Sequence, residues 1–202
     1  MTGICFIEPL FNKVVTGEKI QTRRIIKPQP DSRGFRTTNV MFEDWHGREY
    51  KPKYKVGETV YLKEPYILYQ EDYQESKLSQ SGIQYAYKFG SNLSIEEITG
   101  KSDSKWSNKL FMPESAARHF IRITAVRAER LQDISEEDCL KEGIEEVIWK
   151  GKILKSCKHY FIGYESYDTP IEAYAELIDR INKEGIWERN PYVWVYDFKL
   201  VK

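Results

Sequence analysis

The residue types best suited to chemistry lie in one short basic segment, residues 17–27, which reads GEKIQTRRIIK. Lys19 stands three positions before Thr22, and a lysine whose pKa is lowered by burial or by nearby cations can activate a threonine hydroxyl as a nucleophile. Arg23 and Arg24 follow at once, and guanidinium groups bind phosphate or carbonyl oxygens. The alternative is a basic edge strand whose charges prevent edge pairing, and spacing alone favours that alternative.

The spacing of Lys19 and Thr22 sets a geometric condition on this chemistry. Side chains three positions apart in a regular strand point to opposite faces. The two groups therefore meet only if the chain turns or bulges between them.

The distribution of charge also singles out this part of the chain. The whole chain has 31 basic and 31 acidic residues, but residues 13–36 hold seven cations and two acids, whereas residues 129–146 hold eight acids and two cations. A local basic face can bind a phosphate even when the chain is neutral. Alternatively, the two segments neutralise each other across the fold, since runs of charge usually lie on solvated surfaces.

The composition limits the classes of protein to which the chain can belong. A chain of 202 residues with 41% hydrophobic and 14% aromatic residues predicts a single domain, residues 1–202, with a substantial core. No apolar run is long enough to span a membrane and no signal peptide is apparent, so we predict a cytoplasmic protein without membrane partners. The three cysteines lack metal-like spacing and fit reduced thiols. Scattered histidines, and the lack of a phosphate-binding glycine loop or a GxSxG motif, predict no metal site and no cofactor.

The hydrophobic pattern predicts a mixture of short strands and helices. Strands are expected in ICFI, VGETVYLKEPY, FIRITAVRAERL and NPYVWVYDFKLV, and helices in EPLFNKVVTG, ISEEDCLKEGI and TPIEAYAELIDRINKEG. Residues 66–109 look polar and patternless apart from the short run IQYAYKF, and residues 145–168 look irregular and aromatic, so we interpret both as insertions. Five or six strands with three or four helices and no βαβ rhythm predict an α+β fold built on a small β-barrel flanked by short helices.

Two further features leave alternatives open. Glu142 lies near the predicted end of a helix, where a carboxylate gains nothing from the helix dipole, so either it serves another purpose or it is one more exposed acid. The five tryptophans and fourteen tyrosines exceed what a core of this size needs. They fit base stacking as well as ordinary packing, of which packing is the more frequent use.

Four segments taken together resemble the ASCH domain family, and within it the short proteins found in bacteriophage and prophage genomes. The segments are GEKIQTRRIIKP, VGETVYLKEPY, FMPESAARHFIRITAVRAERLQDISEEDCLKEGI and NPYVWVYDFKLV, in family order and over nearly the whole chain apart from the two insertions. The G-x-K-x-x-T-x-R pattern is the most specific of them. The resemblance implies a PUA-like β-barrel with a cleft that binds RNA or a modified nucleoside or nucleotide.

The same resemblance implies a set of site residues. The family includes a small amidohydrolase that removes the acetyl group from N4-acetylcytidine with a lysine, a threonine and a glutamate, which match Lys19, Thr22 and Glu142 here. In the mechanism so implied, Thr22 attacks an amide carbonyl, Lys19 assists as base or charge partner, and Glu142 carries the proton to the leaving amine. The other expected contacts to substrate or RNA are Arg23, Arg24, Arg118, Glu64, Asn190 and Tyr192.

The chain also departs from that enzyme. It is considerably larger, its insertions can reshape the cleft, and Ile20 and Gln21 bring different neighbours beside the lysine. Three functions therefore stay open. They are an amidohydrolase acting on N4-acylated cytidine, a non-catalytic RNA-binding module, and a ribonuclease that needs no metal.

Overall fold

The computed structural model describes most of the chain, namely residues 1–31, 33–37, 42–70, 83–91, 94–100, 104–150, 156–162 and 165–201. The strands in these residues are β1 (Thr2–Cys5), β2 (Gln21–Ile25), β3 (Phe35–Thr37), β4 (Phe42–Asp44), β5 (Glu49–Tyr50), β6 (Thr59–Lys63), β7 (Tyr66–Gln70), β8 (Ile83–Tyr87), β9 (Phe120–Arg130), β10 (Glu145–Lys150), β11 (Ser156–Ile162), β12 (Glu165–Tyr167) and β13 (Tyr192–Leu200). The helices are α1 (Glu8–Thr16), α2 (Ile95–Thr99), α3 (Glu136–Lys141), α4 (Pro170–Asn182) and α5 (Ile186–Arg189).

Five strands form the central sheet, in the order β1–β6–β9–β13–β2. Strand β13 lies between β9 and β2 and is antiparallel to both, whereas β1 runs parallel to β6. The register between β13 and β2 places Tyr196 opposite Thr22 and Trp194 opposite Arg24. The segment predicted to carry the chemistry is therefore held by the strand that lies near the far end of the sequence.

The two edge strands of this sheet approach each other. The Arg24 guanidinium on β2 donates a hydrogen bond to the carbonyl oxygen of Cys5 at the end of β1, with 2.8 Å between nitrogen and oxygen. A sheet whose first and last strands meet in this way must be strongly curved. The α+β class predicted from the sequence is confirmed, but strand pairing among the described residues does not close a barrel.

One hydrophobic core joins the curved sheet to α1 and α4. Helix α1 buries Phe11 and Val14 and ends at Gly17, whose φ of +82° lies in the left-handed region that glycine adopts without strain. Helix α4 starts at a capping box, in which the Thr169 hydroxyl accepts a hydrogen bond from the Glu172 amide. These end signals fix where both helices present their apolar faces to the sheet.

The two segments interpreted as insertions contain regular structure. Strands β7 and β8 form an antiparallel hairpin within residues 66–109, and β10, β11 and β12 form an antiparallel sheet within residues 145–168. Outside the run IQYAYKF, which contains β8, the prediction of chain without regular structure was wrong, because strands such as YILYQ and EEVIWK are short and do not alternate strictly between apolar and polar residues. Parts of both insertions, at residues 71–82, 92–93, 101–103, 151–155 and 163–164, lie outside the described residues.

A third small sheet, β3–β4–β5, follows the basic segment and was not predicted. It lies against the central sheet through ring contacts of Phe35 and Phe42 with Trp194 on β13. None of the helices in the described ranges combines the length and the apolar composition that crossing a bilayer needs.

Candidate active site

A small cavity of about 130 Å³ lies beside β2, between the end of α3 and the buried face of α4. Lys19, Thr22 and Glu142 line it together, and Tyr174 on α4 joins them. Each of the four residues is at most 4% exposed. The structure thus brings together the three residues that the resemblance implies, while their catalytic role stays a prediction.

The chain satisfies the geometric condition on Lys19 and Thr22 because Lys19 precedes the regular strand. Pairing of β2 with β13 begins at Gln21. Just before it, the Lys19 amide donates to the Lys13 carbonyl at 2.9 Å and the Ile20 amide donates to the Lys141 carbonyl at 3.0 Å. These bonds hold Lys19 outside the alternation of the strand, so both side chains line one cavity.

The end of α3 directs the Glu142 side chain into the protein interior. Glu142 is the C-cap residue of the helix, and Gly143 follows it with a φ of +99°. A Cβ atom at position 143 would lie 3.2 Å from the Lys13 side chain and 3.6 Å from the Lys19 Cβ. Glycine is therefore favoured there chiefly for its backbone angle, and the basic segment packs closely against it. Glu142 is buried, so the alternative of an exposed acid does not hold.

Lys19 and Glu142 form a buried ion pair. The Lys19 Nζ lies 2.5 Å from Glu142 Oε2 and also donates to the Glu142 carbonyl oxygen at 2.7 Å. Burial lowers the pKa of Lys19 from its ordinary value, against the opposing effect of the Glu142 carboxylate, and the positive charges of Arg24 and Arg23 lower it further. A lysine that loses its proton more readily than usual is suited to act as a base.

Arg23 anchors the acidic side of the site. Its fully buried guanidinium lies 3.1 Å from Glu142 Oε1, 2.6 Å from Glu129 and 3.1 Å from Asp138. Burial alone lowers the pKa of Arg23, but the neighbouring charges, Glu142 foremost, raise it above its ordinary value, so the group stays charged. Carboxylates therefore occupy Arg23 on several sides, and one of them is Glu142, which Arg23 helps to position.

The basic and acidic segments neutralise each other at three points. Lys13 pairs with Glu145 at 2.7 Å, and Lys19 and Arg23 pair with acids that follow residue 128. The structure therefore shows mutual neutralisation of the two segments, while phosphate binding by a basic face stays a prediction. Arg24 instead binds the carbonyl of Cys5 and lies over the Phe6 ring, 5.2 Å from its centroid.

Sequence reasoning missed Tyr174. Its hydroxyl is buried and has no hydrogen-bond partner among the described residues, although it lines the cavity. Burial raises the pKa of Tyr174 well above its ordinary value, so the group is a neutral donor. The available signal was a tyrosine on the apolar face of an amphipathic helix, where its hydroxyl must find a partner or remain unpaired.

Replacing Tyr174 by phenylalanine is expected to leave the free energy of unfolding unchanged or to raise it by about 1 kcal/mol, because the variant removes a buried unpaired hydroxyl. Tyr61 supplies the matched control, since its hydroxyl donates to the Met112 carbonyl at 3.1 Å. Tyr61→Phe is expected to cost about 1 kcal/mol. Urea unfolding of both variants checks this, and equal losses in the two would contradict the unpaired state of Tyr174.

Arg118 and Glu64 form an ion pair with each other and do not line the cavity. Two nitrogens of Arg118 lie 2.7 Å from the two carboxylate oxygens of Glu64, and one of them also donates to the Phe89 carbonyl. Burial raises the pKa of Glu64, with Arg118 opposing that shift. The described residues around the cavity include neither of them.

Asn190 and Tyr192 lie at the start of β13 and hold the chain there. The Asn190 side chain accepts a hydrogen bond from the Gln132 amide at 2.9 Å, and the Arg130 guanidinium lies 3.9 Å from the centroid of the Tyr192 ring. These contacts are structural. Neither residue is among the described residues that line the cavity.

Within the described ranges, no group of three histidine, cysteine, aspartate or glutamate side chains is arranged to hold a metal ion. The side chains that line the cavity include a hydroxyl, a lysine of lowered pKa, a carboxylate and an unpaired phenol. Comparison with protein-family models, with curated proteins and with solved structures finds no match to this chain.

Proposed function

We propose that the protein hydrolyses an amide carried by a modified nucleoside, with N4-acylated cytidine as the substrate class. The observation that carries this proposal is the meeting of Lys19, Thr22 and Glu142 around one buried cavity. The resemblance to the ASCH family supports it, because those three residues match the catalytic set of the family's small amidohydrolase. On the same resemblance we propose that the curved sheet is a PUA-like barrel in which the gap between β1 and β2 remains open.

In the first half of the reaction, the Thr22 oxygen attacks the carbonyl carbon of the amide while neutral Lys19 accepts the hydroxyl proton. Glu142, in contact with Lys19 Nζ, relays a proton to the leaving nitrogen. The C–N bond breaks, the free amine of cytidine departs, and the acyl group remains on Thr22 as an ester.

In the second half, water attacks the ester and the same groups act in reverse. Lys19 takes a proton from the water, the ester bond breaks, and the Thr22 oxygen recovers its proton. The products are a carboxylic acid and the restored enzyme, so each turnover consumes one water. The unpaired hydroxyl of Tyr174 is available to donate to the oxygen of the carbonyl as negative charge develops there.

The direct test is an assay of the purified protein against cytidines that carry acyl groups of increasing size on N4, followed by chromatography. Release of cytidine and the free acid is expected, and it should be fastest for the acetyl group, because the cavity of about 130 Å³ admits only a small acyl chain. The rate is also expected to rise with pH and to level off below pH 10.5, the ordinary pKa of a lysine, because the base is deprotonated Lys19 with a lowered pKa.

Two outcomes would contradict the proposal. Turnover that does not change with pH would exclude Lys19 as the titrating base. No release from any acylated cytidine, together with salt-dependent binding of single-stranded RNA, would favour a non-catalytic binding module. Cleavage of that RNA in the presence of a chelator would instead indicate a metal-independent ribonuclease.

A further inference from the structure

A second and larger cavity adjoins the first. Its volume is about 430 Å³, and it lies between β1, β2, β13 and the residues that precede β6. Cys5 and Arg24 line both cavities. Ligand pockets usually begin at about 300 Å³, so the first cavity is too small for a whole nucleoside. Most of such a ligand must lie in the adjoining space.

Positive charge dominates the second cavity. The described lining residues include no acid, and the four cations are Arg24, Lys27, Lys51 and Lys53. Lys51 has a carboxylate neighbour, Glu49, at 3.3 Å, but both side chains are largely exposed and such pairs are weak. The first cavity differs, because Glu142 offsets the charge of Lys19 there. The second cavity therefore attracts anions.

The Arg24 side chain is held in one position where the two cavities share lining residues. Its hydrogen bond to the Cys5 carbonyl and its position over the Phe6 ring fix the guanidinium. A guanidinium has five N–H donors, and the bond to Cys5 uses one of them. The remaining donors are available to a ligand, at little further cost in side-chain entropy.

Aromatic rings form the floor of the second cavity. Tyr54, Trp194 and Tyr196 are each at most 6% exposed. The Tyr54 hydroxyl donates to the Gly3 carbonyl at 3.2 Å, and the Tyr196 hydroxyl accepts from the Lys53 amide at 3.0 Å. The polar ends of these two tyrosines are thus engaged, and the rings themselves are packed, so the polar chemistry of this cavity lies in its basic rim.

Protection of an exposed sheet edge explains only part of this arrangement. Charged side chains on or just beyond an edge strand prevent unwanted pairing, and Lys27, two residues after the end of β2, fits that use. It does not account for a fixed, half-buried arginine above buried rings. A fixed guanidinium among further cations, with no acid in the described lining, is suited to a phosphate.

We propose that the second cavity binds the phosphate-bearing part of a nucleotide whose acylated base edge enters the first cavity. The proposal deepens the proposed function and rests on it for the identity of the base. The recognised chemistry is a phosphate, carried either by a free nucleotide or by the backbone of an RNA strand. Lys27 and Lys53 contact it together with Arg24.

The first experiment tests the phosphate site without reference to any reaction. Titration calorimetry measures binding of pyrophosphate to the wild type, to Lys27→Gln/Lys53→Gln and to the control Lys55→Gln/Lys199→Gln, which changes two exposed lysines outside both cavities. Removing the two cavity lysines is expected to weaken binding at least about tenfold, since each ammonium group would donate a charged hydrogen bond to the phosphate. Equal affinity in all three proteins would overturn the proposal.

The second experiment separates this proposal from the amidohydrolase proposal. We expect cytidine 5′-monophosphate to bind at least about tenfold more tightly than cytidine, and this ratio to fall in Lys27→Gln/Lys53→Gln but not in the control. A high ratio without turnover of acylated cytidines would support the phosphate site and refute the amidohydrolase. Turnover of acylated cytidines, with cytidine 5′-monophosphate and cytidine bound about equally, would support the amidohydrolase and refute the phosphate site.

A third probe identifies the source of the phosphate. A short single-stranded oligoribonucleotide with a hydroxyl at its 5′ end carries only internal phosphodiesters. Binding of this strand as tightly as the monophosphate, with the same loss in Lys27→Gln/Lys53→Gln, would assign the cavity to an RNA backbone. Weaker binding of the strand would assign it to a free nucleotide.

Discussion

Replacing Glu142 by glutamine is expected to lower the free energy of unfolding by about 3–5 kcal/mol, because it leaves Lys19 buried without its carboxylate. Lys19 is fully enclosed, and Arg23 and Arg24 add positive charge nearby. The loss is expected to shrink as pH rises. Lys19 in the variant has a still lower pKa, and above that pKa it is neutral in the folded state, so no buried charge remains uncompensated.

The reverse substitution, Lys19→Met, is expected to cost less. In this variant Glu142 still forms an ion pair with Arg23, whose Nη1 lies 3.1 Å from the Glu142 carboxylate. Lys19→Met/Glu142→Gln removes both charges, so its stability should lie closer to that of the wild type than the sum of the single losses allows.

Unfolding in guanidinium chloride measures this coupling. The four proteins compared are the wild type, Glu142→Gln, Lys19→Met and the double variant. The exposed pair Arg180–Glu176, 2.7 Å apart on α4, provides the control, and Arg180→Met is expected to leave the unfolding midpoint near that of the wild type. Losses in the two single variants that add in the double variant, within about 0.5 kcal/mol, would show that Lys19 and Glu142 are not energetically coupled.

Replacing Thr22 by valine is expected to reduce kcat for an acylated cytidine by at least about 10³-fold, because the variant keeps the shape of the side chain but lacks the nucleophile. Thr22→Ser keeps the hydroxyl and is expected to retain much more of the activity. Both variants should fold, since Thr22 contributes no charge to the ion-pair network and its strand pairs through the backbone with β13.

Single-turnover kinetics with mass spectrometry of the quenched protein checks this prediction. The wild type and Thr22→Ser should carry the acyl group on the peptide that contains residue 22, and Thr22→Val should not. Turnover by Thr22→Val within about tenfold of the wild type would assign the attack to water, with Lys19 as its base and no covalent intermediate.

The sequence predicts most of the strands and helices that surround the site, because these elements follow from local sequence patterns. The strands and helices around the site follow hydrophobic periodicity, and Gly17 and Thr169 are recognisable end signals. The small sheets were missed because their strands are short and, as in YILYQ and EEVIWK, do not alternate strictly between apolar and polar residues. Stability there comes from pairing between segments, which a local pattern does not contain.

The site itself was only partly predictable. The opposite charges of the basic and acidic segments were visible, but the sequence did not show that Lys19 and Arg23 face acids while Arg24 faces a cavity. That division depends on how residues more than a hundred positions apart meet. Tyr174 was missed for the same reason, since only the packing of α4 shows that its hydroxyl has no partner.

The position of β13 has a consequence for how the protein is made. Within the described sheet, β2 pairs only with β13, although the two strands lie far apart in the sequence. A nascent chain on the ribosome therefore exposes β2 as an unpaired basic strand until residues 192–200 have been synthesised, and such long-range pairing forms slowly. The cavity beside Lys19 and Thr22 also needs Tyr174 on α4, so its lining is complete only after that helix has been made.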